Sequence, residues 1–103
     1  QGARHPSVLA TRYLIAQCRN DTGDAVGALA ELEELLPLYT DVQGARHPSV
    51  LATRILRSAC LLAVDDTDGA ASELKGIREG LTAAGLSSEH KYFRLLAEVE
   101  KQM

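Results

Sequence analysis

"QGARHPSVLATR" spans residues 1–12, and the same twelve residues return unchanged at 43–54. The interval is 42 residues, and the likeness extends beyond this stretch. Laying residues 1–42 over 43–84 without gaps matches about twenty positions, among them Leu14/Leu56, Cys18/Cys60, Asp24/Asp66, Gly27/Gly69, Ala28/Ala70, Glu31/Glu73, Leu32/Leu74 and Thr40/Thr82. A fixed period of about 20–50 residues marks a chain built from stacked copies of one supersecondary unit, none of which buries its apolar face alone. Identity between copies can come from recent duplication, so by itself it designates no site.

The punctuation inside each copy predicts two helices. His5-Pro6 and His47-Pro48 read as helix starts, because proline at the first helical position forfeits no hydrogen bond. The first helix is predicted over about 6–20 and its twin over 48–63. "DTGD" at 21–24 and "VDDTDG" at 64–69 then break the chain and supply an Asp to cap the next helix. Ala25, Ala28, Leu29, Leu32, Leu35, Leu36 and Tyr39 form an i, i+3, i+4 stripe for the second helix. In the second copy the stripe thins to Ala70, Leu74, Ile77 and Leu81, where Gly76 and Gly80 weaken the helix by up to about 1 kcal/mol each. Gly85 reads as a stop. A Ser87/Ser88 cap then starts a fifth helix with Tyr92, Leu95, Leu96, Val99 and Met103 on one stripe. The expected fold is all-α: helix pairs at 1–42 and 43–84, closed by a capping helix within 85–103.

Composition agrees. Apolar residues make up 46% and aromatics 4%, which suits helix packing better than a β-sandwich core. A formal net charge of −3 gives no general grip on nucleic acid or anionic lipid, so neither is expected as a partner. No apolar run approaches the roughly 20 residues of a membrane span. The chain begins at Gln1, and we take it as a segment of a longer protein. Cys18 and Cys60 hold the same place in the two copies and are expected as buried, reduced thiols in a cytoplasmic setting. One helix-pair spacing, at roughly 8–10 Å per helix contact, is too far for a disulfide.

With the pattern "HPSVLATRYLIAQCRNDTGDAVGALAEL" in place, the sequence resembles the tetratricopeptide repeat, in the variety found in kinesin light chains and many bacterial regulatory proteins. The resemblance covers nearly the whole chain. Its HP start falls at His5-Pro6 and His47-Pro48, and its small first-helix residue at Ala16, with Ser58 opposite. Its Gly-Asp turn is Gly23-Asp24, degraded to Asp65-Asp66, and its small second-helix residue is Ala28/Ala70. The resemblance implies a right-handed α-solenoid of antiparallel helix pairs whose first helices line a concave, protein-binding face. In the first copy that face would carry Ala10, Tyr13, Gln17, Asn20 and Asp21. In the second it would carry Ala52, Ile55, Ala59, Leu62 and Ala63. An Asn pair that often holds a bound peptide's backbone in this variety is replaced here by Tyr13-Leu14 and Ile55-Leu56. The face either receives a protein or peptide, or is covered by the capping helix or a neighbouring chain.

Nothing in the sequence assembles a catalytic constellation, a metal-spaced Cys/His set or a phosphate loop, and no cofactor is expected. "VDDTDGAASELK" puts Asp66, Asp68 and Gly69 at calcium-loop positions, but Val64 and Lys75 stand where the first carboxylate and the bidentate Glu belong. His5 and His47 are expected to cap or to pack at helix starts, and His90 to be solvated. Arg12/Glu31 and Arg54/Glu73 are either ion pairs between the helices of a unit or separately solvated groups. The first unit carries no mark of a terminal cap. Val8, Leu9, Ile15, Leu29 and Leu36, with Ala25, are therefore expected to form an exposed apolar face that pairs with a second copy. The chain thus reads as a non-catalytic interaction scaffold, or alternatively as a self-assembling repeat.

Overall fold

The first N–H groups of a helix find no acceptor within it, and five side chains of this sequence supply one. The computed structural model describes residues 2, 4–87 and 89–103. Those residues form α1 (Pro6–Asp21), α2 (Ala25–Gln43), α3 (Pro48–Ala63), α4 (Thr67–Ala83) and α5 (Lys91–Glu100), with no strand among them. The protein is all-α. None of the helices is long and apolar enough to cross a membrane.

Histidines cap α1, α3 and α5: Nδ1 of His5, His47 and His90 accepts from the N–H of Ser7, Ser49 and Tyr92 at 3.1, 3.0 and 3.1 Å. Aspartates cap α2 and α4, where Oδ1 of Asp24 and Asp66 accepts from Gly27 and Gly69 N–H. The fifth start differs from expectation. His90, not the serine pair, caps α5, while Ser87 Oγ accepts from Glu89 N–H in the turn before it. Ser88 lies outside the described residues. Met103 also falls off the predicted stripe, because α5 stops at Glu100 and leaves it exposed.

The duplicated dodecapeptide is a joint. In its second occurrence Gln43 ends α2, Gly44 turns the chain at φ +91°, His47 caps and Pro48 opens α3. The turn between the helices of a unit works similarly. Gly23 adopts φ +94°, and its counterpart Asp65 keeps a left-handed φ of 65° without being glycine. Asp tolerates that region better than most side chains. α2 continues through Pro37, at an exposed position, although a proline there removes one intrahelical donor.

Ion pairs give the direction of travel. Arg19–Asp24, Arg12–Glu31 and Arg4–Asp41 step up α2 as they step down α1, so the two helices are antiparallel. Arg12 Nε sits 2.6 Å from Glu31 Oε1, and Arg54 Nε 2.7 Å from Glu73 Oε1, so the same pair forms in both copies. Arg57 joins the copies, reaching Glu33 on α2 and Glu73 on α4.

Two core clusters share α3. Leu9, Ala16, Ala28, Leu32, Leu35 and Tyr39 pack with Val50, Leu56 and Cys60 on one side. Leu51, Ile55, Leu74, Ile77, Leu81, Leu96 and Val99 pack on the other. Ala16 and Ala28 are fully buried, as close helix crossing requires. Gly80 has a packing role of its own, since a Cβ there would stand 2.8 Å from Leu51 Cδ2.

Candidate functional site

α1 and α5 rise on either side of α3 and leave a trough between them. Tyr13, Gln17 and Asn20 recur at i, i+4 and i+7, which puts them on one face of α1. The same offsets put Ile55, Ala59 and Leu62 on one face of α3. All six line a single cavity of about 520 Å³, with Leu95, Glu98 and Val99 of α5 as its far wall. Every position that the resemblance implies for a concave face lines this trough or its neighbour. The neighbour is a cavity of about 350 Å³, lined by Ala10, Ala52, Ser49, Lys91 and Tyr92 among others. Both include Tyr13 and Leu95, so the two form one continuous trough.

Its two halves differ in chemistry. The half beside Lys91 holds all three tyrosines of the chain, Tyr13, Tyr39 and Tyr92, brought in by α1, α2 and α5. Burial pushes the Tyr13 and Tyr39 hydroxyls above their ordinary range. Lys91 Nζ lies 5.4 Å from the Tyr92 ring centre, and the His90 and Tyr92 rings stand 4.9 Å apart. The other half has an apolar floor at Ile55, Ala59 and Leu62, with Asp21, Asp65 and Glu98 around it. Asn20 Oδ1 is enclosed there and accepts no hydrogen bond.

α5 walls the trough without filling it. Its side chains carry no repeat signature, so sequence reasoning assigned them to a cap and missed Lys91, Tyr92 and Glu98. The signal available in the sequence was the adjacent pair Leu95-Leu96, since neighbouring residues of a helix do not share one direction; Leu95 turns to the trough and is 42% exposed.

The expected self-association face is only partly where the sequence put it. Leu9 and Ala25 are buried in the core, while Val8, Leu29 and Leu36 are half-buried. Only Ile15, at 45%, is well exposed among those named. On α1 the exposed apolar surface consists instead of Leu14, Ile15 and Cys18, which flank a shallow cavity with Thr11, Arg19 and Thr22. Cys18 is exposed, which corrects its expected core position. The physical reason is visible in its twin: Leu56 and Cys60 are buried because α2 lies against that side of α3, and no helix lies against that side of α1.

Among the described residues, no group of His, Cys, Asp and Glu is arranged to hold a metal ion. Compared with known proteins, the chain matches no family model, no curated protein and no solved structure.

Proposed function

We propose that the chain is a tetratricopeptide-type, right-handed solenoid of two units, 1–42 and 43–84, closed by α5, and that its trough binds a segment of another protein without chemistry. One observation supports this reading: the positions that the resemblance implies for a binding face line a trough with an apolar floor that the chain's own helices leave open. Two free thiols suit a reducing compartment, and the proposed setting is cytoplasmic. The test is selection from a displayed library of dodecapeptides. Binders should be enriched, and most should lose binding to Ala59→Trp, which fills the floor, while that variant keeps its helicity and melting point. Enrichment of binders indifferent to Ala59→Trp, or no enrichment, would overturn the reading.

A second reading is supported by α1. It presents Leu14 and Cys18 to solvent, whereas their counterparts Leu56 and Cys60 are buried against a neighbouring helix. The occupant proposed for this face is a second copy, packed α1 to α1 about a two-fold axis. Sedimentation should then show a dimer at high concentration, returned to monomer by Leu14→Asp with Ile15→Asp. A monomer mass that does not change up to millimolar concentration would sink it.

A further inference from the structure

Arginine and glutamate pair throughout this protein, but away from the floor of the trough. Arg12, Arg54, Arg57 and Arg78 are all engaged with glutamates on neighbouring helices. The deeper half of the trough, by contrast, is lined by Asp21, Asp65 and Glu98 and by no Lys or Arg. Asp21 and Asp65 take part in no ion pair among the described residues, and Glu98 meets only Lys101, at 3.4 Å on the surface. The remaining polar lining, Gln17, Asn20, Thr67 and Gln102, is neutral, so the charge set around the apolar floor is negative.

Building on the proposed peptide-binding reading, we infer that the trough takes a cationic protein segment, with Arg or Lys over Asp21, Asp65 and Glu98 and an apolar residue over Ala59. Arginine suits the place best. Its stem lies along apolar surface while its planar head carries five donors and is weakly hydrated. The segment has a direction. Lys91 and the tyrosines line the opposite half, so the end of the segment lying there is neutral or acidic. From Lys91 to Glu98 along α5 is about 10 Å, the length of two helical turns.

Asp65 offers a clean way to remove charge. It occupies the left-handed conformation that Gly23 occupies in the first unit, so Asp65→Gly takes away a carboxylate and suits the backbone at once. The experiment begins with the pool of dodecapeptides that depends on Ala59. Its members should be enriched in Arg and Lys toward one end, and a synthetic member should bind more weakly as salt is raised. Asp65→Gly combined with Asp21→Asn and Glu98→Gln should weaken it about tenfold, as the loss of a few partly exposed ion pairs does. Asp68→Asn, which removes a charge at the start of α4 and outside the trough, should leave affinity unchanged. A pool that depends on Ala59 but is neutral or acidic, or is indifferent to the triple variant, overturns the cationic preference and leaves the trough as a peptide site. Absence of any pool dependent on Ala59 overturns both.

Discussion

Leu32→Ala is expected to destabilise the protein by about 2–5 kcal/mol, the usual range for emptying a buried leucine site. Leu32 is fully buried at 0% exposure and lies in the cluster where α1, α2 and α3 meet. Ala16 and Ala28 beside it bring the backbones close, so the surroundings have little freedom to collapse into the space. For a domain of this size the loss corresponds to a melting point lower by about 10–30 °C. Leu14 makes the contrast. It too is leucine in both copies, but it is 56% exposed, and Leu14→Ala should stay within about 0.5 kcal/mol. Thermal unfolding followed by circular dichroism checks both. Equal effects would mean that burial is not distributed as described.

Native protein is expected to offer one thiol to an alkylating reagent within minutes and the second only after unfolding. Cys18 is exposed. Cys60 is fully buried, and burial, helped by the negative charge of Asp21, raises its thiol from the ordinary 9.0 to about 11. At pH 8 roughly one such thiol in a thousand is ionised, and the thiolate is the reactive form. Mass spectrometry of the labelled peptides distinguishes the sites; early labelling of Cys60 would contradict the packing of α3 against α2. The same raised value has a stability consequence. The folded state holds this proton more tightly than the unfolded chain, so the contribution is fully present below about pH 9 and lost as pH rises toward 11. The amount is on the order of 2–3 kcal/mol. Cys60→Ser should flatten stability over that interval.

Much of the fold was legible because the same pattern is present twice. HPSVLATR opens a helix in both places, Asp24 and Asp66 cap in both, and the starts and ends of α1 to α4 fall within a few residues of expectation. The positions that the resemblance implies for a concave face, Tyr13, Gln17 and Asn20 with Ile55, Ala59 and Leu62, line one cavity. Whatever depends on neighbours was not legible. Cys18 and Cys60 have matching positions and unlike surroundings, and no pattern within one unit states what lies beside it. Leu9 is expected at the surface if an apolar face without a preceding unit is wet, whereas α2 and α3 bury it. α5 has no second copy to compare, so its His90 cap and its part in the trough emerge only in three dimensions.

The central place of α3 bears on how the molecule comes apart. In a linear array each element touches its neighbours alone, and ends can fray while the middle persists. Here the middle of the chain is a single helix, α3, with one side of it in each cluster. Detaching either end strips half the enclosure from α3, whose nine buried residues include Thr53 and Ser58. The cluster of α3, α4 and α5 lies wholly within the second half, whereas that of α1 and α2 draws Val50, Leu56 and Cys60 from α3. Loss of α3 therefore undoes both clusters, while detachment of α1 and α2 is expected to leave the contacts of the second cluster in place.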